Sequence, residues 1–447
     1  MLAVPAARAG WPTDPAAPLV LGQTVGIGSA EHAMALGPDG STWVAWVDQQ
    51  CFGALRVQRV SAAGRILMAG GLVVHAFANC TTPTPRLAVC ADGSAVVSGA
   101  TPEFSGGPLA VQRFDARGAA LWGAGITPAG LGSGALSHLH GLPDGDALVL
   151  WVQAGTMVVQ RYTIAGTAVW PQALTVGSGV GSNFRVLSMH DDGAGGVYLV
   201  WDSPGAYTRA ISTTRVSGGG TVLWPAPVQV TAVTPSSRHT LPATLADGEG
   251  GLFVLWTQGA ESEGTPVPLR LQHLSADGAL RFEPEGRRVS LLGQRQFDPT
   301  LTRNGDDLYV AWRHDVFGQQ VWAQRMTGLG QRLWGDDGLA VAPLLHTALS
   351  RFEARWHANA LSLVLADQSS SPGNAAIHLY RLDAQGTLVL GATELSGPEP
   401  VGLLAARATS NVLTLTWLTD ESAGLVFAQR ANPDGSLGAQ NPGRRRR

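Results

Sequence analysis

The amino-acid sequence predicts an all-β protein, folded as a single eight-bladed β-propeller of four-stranded antiparallel blades. A motif of an apolar strand, a Gln-Arg pair, a glycine turn and a tryptophan recurs eight times, at intervals of about fifty residues, the usual length of one blade. Gly (57 residues) and Pro (27 residues) are abundant and only 14% of the residues are charged, as in turn-rich β proteins. In addition, the two ends of the chain carry complementary parts of one repeat.

The repeat is clearest in residues 316–341, VFGQQVWAQRMTGLGQRLWGDDGLAV. An alternating apolar strand there contains Gln324-Arg325, a turn follows at Gly330, and Trp334 precedes a second strand. The positions that correspond to Gln324 in the eight copies are Gln58, Gln112, Gln160, Thr214, Gln272, Gln324, Tyr380 and Gln429. We label the four strands of each copy A to D, with A innermost. Asp-Gly and Gly-Gly turns between them predict hairpins, because these residues accept positive φ at low cost.

Tryptophan occupies two positions of the repeat. The predicted B strands contain Trp46, Trp151, Trp201, Trp256, Trp312 and Trp417. The predicted D strands open with Trp122, Trp170, Trp224 and Trp334. Because their spacing follows the blades, we expect these side chains to pack between neighbouring blades, with a stacking platform for sugars as the alternative.

The ends of the chain predict how the ring closes. The last copy stops soon after its turn at Gly435, where a tryptophan and a D strand are expected, whereas the beginning of the chain supplies Trp11 and the strand LVLGQTV at 19–25. If residues 11–28 complete the last blade, the ring has no open sheet edge at the break. We therefore predict one propeller domain, residues 11–440.

The Gln-Arg pair, the glycine turn and the Gly-x-x-Leu-Trp pattern, as in residues 324–334, resemble the repeats of exported bacterial eight-bladed propeller proteins. The C–D hairpin is also similar to the tryptophan-docking hairpin of quinoprotein-like propellers, a group of redox enzymes and outer-membrane assembly lipoproteins. Those enzymes place a vicinal cysteine pair and a lysine near their quinone. This chain has neither, so the resemblance implies the architecture and not the redox chemistry.

Composition excludes several function classes. All 30 basic residues are arginine and the net charge is −3. The absence of lysine excludes a Schiff-base or P-loop lysine, and the small negative charge offers no field for a polyphosphate, so we expect no nucleic-acid partner. No apolar run in the sequence is long enough to span a membrane as a helix.

We predict that the protein is exported to the periplasm, the outer surface or the medium. Ala7-Arg8-Ala9 has the small-x-small form of a signal-peptidase site, which identifies residues 1–10 as a possible signal-peptide remnant, and the family resemblance agrees. A chance match in an Ala-rich chain is the alternative, because the usual charged and apolar regions do not precede it. The Arg-rich tail, residues 441–447, is expected to be disordered.

In a four-strand meander the B–C and D–A loops share one face, the loop face. These loops vary most between the copies, so we expect the ligand there. Acidic residues follow several predicted B strands: Asp48, Asp202, Asp315, Asp367 and Asp420. They could bind calcium or serve as paired carboxylates in glycoside hydrolysis. Solvated loop acids are the favoured alternative, because no Asp-x-Asp-x-Asp-Gly loop occurs, and we expect no cofactor.

Strand alternation predicts which inner-strand residues line the central channel. They are Arg86, His138, His140, His190, Asp298, Glu353, Arg355, His357 and Arg407. This set could hold an anionic ligand, and in an enzyme the catalytic cluster would be Asp298, Glu353, Arg355 and His357. The favoured alternative is a water-filled channel whose polar groups satisfy one another. The His-x-His spacing is only a weak zinc signal, so no metal is predicted.

Three cysteines allow one disulfide. Cys51 in the first B–C loop and Cys80 in the following D–A loop share the loop face, whereas Cys90 lies near the opposite end of its strand. We predict the pair Cys51–Cys80 in an exported protein, and three free thiols are the alternative.

Together these features favour an exported, monomeric propeller without catalytic activity. It would bind a glycan, a peptide or a protein through the loop face and the channel mouth. A polysaccharide hydrolase or lyase with its site at the channel is the first alternative, although the Ser-x-Asp-x-Gly-x-Thr-Trp boxes of sialidases are absent. The second is a structural subunit of a cell-surface assembly.

Overall fold

The computed structural model contains 31 β-strands in the part of the chain that it describes. The described residues are 10–25, 32–49, 51–77, 80, 83–100, 110–128, 135–153, 156–177, 185–204, 209–231, 238–259, 267–293, 295–315, 319–341, 348–368, 376–397, 401–419 and 424–439. No helix that could cross a membrane occurs among them.

The strands of the first half of the chain form one outer strand and four blades. Strand β1 is Leu19–Gln23. Blade 1 contains β2 (His32–Leu36), β3 (Thr42–Val47), β4 (Ala54–Val60) and β5 (Leu72–Ala76). Blade 2 contains β6 (Thr84–Val89), β7 (Ala95–Ala100) and β8 (Gln112–Phe114). Blade 3 contains β9 (Ala135–Gly141), β10 (Ala147–Gln153), β11 (Thr156–Tyr162) and β12 (Leu174–Gly177), and blade 4 contains β13 (Arg185–Asp191), β14 (Val197–Pro204), β15 (Arg209–Val216) and β16 (Val228–Gln229).

The second half of the chain forms four more blades. Blade 5 contains β17 (Arg238–Ala246), β18 (Leu252–Gly259), β19 (Leu269–Leu274) and β20 (Arg287–Arg288). Blade 6 contains β21 (Gln296–Asn304), β22 (Asp307–Asp315), β23 (Gln319–Thr327) and β24 (Leu339–Ala340). Blade 7 contains β25 (Ala348–His357), β26 (Ala360–Gln368), β27 (Ile377–Leu382) and β28 (Leu388–Glu394). Blade 8 contains β29 (Val401–Ala408), β30 (Leu413–Thr419) and β31 (Leu425–Ala431).

The blades form a closed ring. The A strand of each blade contacts the A strand of the next, and β29 of blade 8 contacts β2 of blade 1. Strand β1 completes blade 8 as its outermost strand, since it pairs antiparallel with β31, with Leu19 opposite Ala428. The predicted fold class, an eight-bladed propeller closed by the N-terminal strand, is therefore confirmed.

Several of the D strands are short. In blades 4, 5 and 6 they contain two residues each, and in blade 2 a single bridge between Val111 and Ile126 takes the place of the fourth strand. In blade 6 the buried side chain of Gln324 satisfies backbone groups ahead of the short D strand. Its Oε1 accepts the Trp334 backbone N–H at 2.9 Å, and its Nε2 donates to the Gly335 carbonyl at 2.8 Å. A buried amide can thus satisfy the backbone groups that a longer strand would pair.

The hydrophobic core is divided into clusters, each of which lies between two neighbouring blades. The cluster that closes the ring joins Leu19 and Leu418 of blade 8 to Val44 and Trp46 of blade 1. The B-strand tryptophans are at most 3% exposed: Trp46, Trp151, Trp201, Trp256, Trp312 and Trp417. The regular tryptophan stripe is therefore core, and burial of such large apolar rings is the main stabilising term of each interface.

Neighbouring blades are also joined by directional contacts. In blade 6 the Trp334 indole and the Arg325 guanidinium both donate to the Ala384 carbonyl in the C–D turn of blade 7, at 3.2 and 2.7 Å. The same arrangement closes the ring, because Trp11 and Arg430 both donate to the Ala62 carbonyl of blade 1, at 3.0 and 2.6 Å.

The receiving turn requires glycine. Gly64, in the turn that contains Ala62, has φ +84°, and a Cβ at this position would lie 2.3 Å from the Trp11 backbone nitrogen. Both the left-handed conformation and the close approach exclude other residues. The glycine of the repeat is therefore a docking position as well as a turn former.

Substitution of Trp11 by alanine is expected to lower the free energy of unfolding by about 3–5 kcal/mol, because it removes a buried indole and its contacts with blade 1. Chemical denaturation measures this loss. The control is Trp122→Ala, which removes the equivalent contact between blades 2 and 3, where the indole donates to Ile164. Hydrogen exchange of residues 10–25 should accelerate only in the Trp11 variant. A stability loss below about 1 kcal/mol would show that this contact does not hold the ring closed.

Candidate functional site

The polar side chains of the inner strands connect neighbouring blades. His190 of blade 4 is hydrogen-bonded to Thr244 of blade 5, and Ser188 contacts the same hydroxyl at 2.9 Å. Arg355 of blade 7 donates through Nε to the Ala406 carbonyl of blade 8 at 3.1 Å. This arrangement matches the alternative in which the polar groups of the channel satisfy one another.

The predicted channel residues fall into two groups. On one side of the ring Arg86, His138 and His190 interact electrostatically, and His140 lies close enough to His190 to affect its pKa. On the other side Glu353, Arg355 and Arg407 come together. The structure thus brings together residues from neighbouring blades, but it does not form one common cluster from all nine.

The inner histidines are held neutral by their surroundings. Burial lowers the pKa of His138 to about 3, with Arg86 as the next cause, and burial lowers the pKa of His190 to about 4. Burial likewise lowers the pKa of His140 below its usual value, and the pKa of His32 to about 4. Imidazoles of this kind are hydrogen-bonding groups at neutral pH, so the positive charge of the channel comes from arginine alone.

The four residues that the sequence suggests as a catalytic cluster do not come together. They lie in three separate places of the structure. Glu353 and Arg355 form an ion pair of 2.7 Å between Oε2 and NH2. Asp298 has φ +50° at a bulge of β21 and pairs with Arg313 of the same blade. His357 is only 3% exposed, and its pKa is lowered to about 4 by burial and then by Arg381.

The loop-face acids do not form a ring of free carboxylates in the described residues. Asp48 forms an ion pair with Arg56 and accepts the Ala54 backbone N–H at 2.6 Å. Asp202 is 1% exposed. The side chains of Asp315 and Asp367, and the whole of Asp420, lie outside what the structure describes, as do residues 1–9 and 441–447.

The described residues hold no candidate metal site. Across the described ranges, no three or more His, Cys, Asp or Glu side chains converge as a ligand set. This holds for His138, His140 and His190 as well as for the described loop-face acids. Calcium binding by the loop-face acids stays a hypothesis from the sequence.

The B–C loop of blade 1 holds the predicted disulfide between Cys51 and Cys80 and, beside it, an exposed aromatic residue that sequence reasoning missed. Cys51 and Cys80 form a disulfide with an S–S distance of 2.08 Å, whereas Cys90 is a buried free thiol whose pKa is raised to about 11 by burial. Beside Cys51, Phe52 is 71% exposed and has φ +56°. A non-glycine residue in this conformation with an apolar ring in solvent is uncommon. The sequence signal was the aromatic residue directly after a loop cysteine.

The hairpin that carries Phe52 is fixed at its base. The Asp48 backbone N–H donates to the Ala54 carbonyl at 2.9 Å, the Ala54 N–H donates to the Asp48 carboxylate, and the Phe77 N–H donates to the Gly53 carbonyl at 2.8 Å. A Cβ on Gly53 would lie 2.3 Å from the Gln49 carbonyl oxygen, so the loop is tightly folded. The phenyl ring is therefore presented to solvent by a constrained loop.

No protein-family model matches this chain, and no curated protein matches it. Several solved structures are similar to this chain in fold. The lectin BP39L from Burkholderia pseudomallei is 14% identical, with 83% of this chain and 100% of the lectin covered at a TM-score of 0.52. A polysaccharide lyase of family PL25, an ulvan lyase, is 11% identical over 97% of this chain and 98% of its own, with a TM-score of 0.49. An α-L-arabinanase from Penicillium chrysogenum is 13% identical over 66% and 92%, with a TM-score of 0.39.

At these identities the similarity shows the fold alone. It nevertheless corrects one expectation. The sequence-based prediction that the protein is not an enzyme is wrong as an inference from the architecture, because the similar structures include a polysaccharide lyase and an arabinanase. The resemblance to exported bacterial repeat proteins is confirmed at the level of the eight-bladed propeller, and the narrower family stays a prediction.

The buried histidines predict that stability falls on acidification. Four of them have a pKa of about 4 or below in the folded protein: His32, His138, His190 and His357. In the unfolded chain they titrate near pH 6.5, so between about pH 6.5 and about pH 4 the unfolded state binds more protons and the folded state loses stability. Above that window the contribution is complete.

Denaturant unfolding at about pH 7.5 and about pH 4.5 should therefore show a loss of several kcal/mol. Because the pKa values of Asp39, Asp92 and Asp247 are lowered in the folded state, these carboxylates contribute mainly below this window. His190→Gln should reduce the pH dependence, with Leu329→Ala, at a surface turn, as the control. Equal stability at both pH values would contradict the assignment of neutral histidines.

Proposed function

We propose that this protein is an exported carbohydrate-binding propeller, with its binding surface on the loop face at blade 1 and Phe52 as the stacking side chain. The observation that supports this is the 71% exposure of a phenyl ring that is held in a left-handed backbone conformation beside a disulfide. Backbone strain of this kind costs about 1–3 kcal/mol and is concentrated at functional sites.

The neighbouring chemistry suits a sugar. A pyranose offers an apolar C–H face and a rim of hydroxyl groups, and it needs an aromatic surface with polar groups beside it. At the base of the Phe52 loop, Asp48 and Arg56 form an ion pair with side chains 19% and 30% exposed. The carboxylate can accept and the guanidinium can donate hydrogen bonds at the edge of a ring stacked on Phe52.

Rigidity of the loop favours affinity. A platform that is ordered before binding loses little conformational entropy when the ligand arrives. The Cys51–Cys80 disulfide supplies this order, and disulfides persist in oxidising compartments, which supports export. The existence of a lectin with a similar fold is compatible with carbohydrate binding by this chain.

Phe52→Ala should weaken carbohydrate binding by about tenfold or more, because it removes most of the apolar area that a sugar ring would bury. Co-sedimentation with a panel of neutral and acidic polysaccharides measures retention, and the same samples are assayed for released reducing ends. Phe52→Trp should retain binding. Leu329→Ala is the matched control, since Leu329 is 74% exposed but lies in a C–D turn on the opposite face.

Each outcome of this assay is decisive. Equal retention of the wild type and Phe52→Ala would contradict the site, and no retention on any polysaccharide would contradict the function. Release of reducing ends by the wild type would identify a polysaccharide-active enzyme. Reduction of the disulfide should weaken retention while the near-UV circular dichroism of the tryptophan core stays unchanged.

A further inference from the structure

Two arginines from neighbouring blades meet at one acceptor in the channel. Arg355 donates through Nε to the Ala406 carbonyl at 3.1 Å, and Arg407 donates to the same oxygen through NH1 at 2.9 Å. The two guanidinium groups are thereby held together although both carry a positive charge. Such a juxtaposition costs electrostatic energy unless an anion lies nearby.

The only carboxylate seen to act on this pair, within the described residues, is Glu353. Its Oε2 lies 2.7 Å from NH2 of Arg355, and both side chains remain partly exposed, at 23% and 25%. No ion pair to Arg407 occurs in the described part of the chain. Two positive charges and one negative charge leave a net charge of about +1 at this place.

The surroundings do not offset that charge. Burial lowers the pKa of Arg407, Arg355 lowers it further, and Glu353 opposes the shift. His32 of blade 1 also faces Arg407 and is neutral, since burial lowers its pKa to about 4. Neighbouring blade 6 contributes the Thr302 hydroxyl, which accepts the Trp356 N–H at 3.1 Å.

The pair lies near the face opposite the loop face. Arg407 is close to the end of β29 (Val401–Ala408), and Arg355 is close to the end of β25 (Ala348–His357). Both strands end there in tight A–B turns, whereas the Phe52 loop lies on the other face. The arginine pair is therefore a separate surface from the proposed carbohydrate platform.

We propose that Arg355 and Arg407 form an anion-binding site at the tight-turn end of the channel, which takes a carboxylate group. Guanidinium groups suit planar carboxylates because they donate paired, charge-assisted hydrogen bonds. A carboxylate would neutralise the excess charge and relieve the repulsion between the two arginines. Glu353 already satisfies Arg355 in part, so the incoming group pairs mainly with Arg407.

A carboxylate can come from a uronic acid sugar or from a simple organic acid. Isothermal titration calorimetry at low salt distinguishes them, with glucuronate, succinate and, as the neutral control, glucose. We expect wild-type protein to bind glucuronate, succinate or both, and glucose not at all. Binding of glucuronate alone identifies a sugar acid, and binding of both identifies the carboxylate as the recognised group. Absence of binding by either acid overturns the proposal.

Two substitutions should act in opposite directions. Arg407→Gln should weaken binding by about tenfold or more, whereas Glu353→Gln should strengthen it by about fivefold, because it removes the carboxylate that competes with the ligand. Glu353→Gln keeps the test valid if Arg407→Gln disturbs folding. Unchanged or weaker binding by Glu353→Gln overturns the proposal.

Two further controls separate this site from others. Affinity should be the same from about pH 6 to about pH 8.5, because guanidinium groups stay charged and the inner histidines stay neutral in this range. A steady loss of affinity with rising pH would point to histidine and overturn the assignment. Phe52→Ala should leave glucuronate binding unchanged, so failure of the carbohydrate site and failure of the anion site are distinguished.

Discussion

The fold depends on contacts that join each blade to the next, and at three interfaces of the described residues an indole N–H and a guanidinium N–H donate to the same turn carbonyl of the following blade. At the ring closure Trp11 and Arg430, from opposite ends of the chain, meet at Ala62, and Arg430 also lies over the Trp11 ring at 4.6 Å. Because each blade is connected mainly to its two neighbours, an open ring would expose apolar faces at both ends. The closing contacts at Ala62 therefore join residues 10–25 to the rest of the folded ring.

The sequence predicts this architecture well because the residues that build it recur. Gln324 satisfies backbone groups, and Arg325 and Trp334 reach the next blade. Gly330 packs against Phe282, which takes the place of the tryptophan in the preceding blade. Each of these requirements is local in sequence and recurs in most of the units. The length of the D strand is less predictable, since it varies from two residues in blade 6 to five in blade 1 although Gln324 and Gln58 make the same kind of contact in both.

The candidate sites follow the sequence less closely. Alternation along β25 places Glu353, Arg355 and His357 on one side, yet Arg355 reaches the backbone of blade 8 while His357 is buried near Arg381. The twist of a blade and its contacts with neighbouring blades determine which groups a side chain reaches. The alternation of side chains between the two faces of a strand does not encode either of these. Phe52 was missed for another reason. The exposure of Phe52 depends on its positive φ and on the disulfide that joins the neighbouring Cys51 to Cys80, 29 positions further along the chain. The presence of an aromatic residue at position 52 does not reveal this backbone conformation.

The docking of each blade on the next also determines where a functional site can lie. The C–D turns are occupied by docking, so a residue such as Gly64 cannot vary without losing the contact with Trp11. No such docking contact occurs in the described residues of the B–C and D–A loops, and these loops differ in length and composition between the copies. On the inner strands most polar groups connect neighbouring blades. Only an excess positive charge, as at Arg407, remains available to a ligand. We therefore expect binding surfaces at positions that the contacts between blades do not fix. The loop of Phe52 and the arginine pair both lie at such positions.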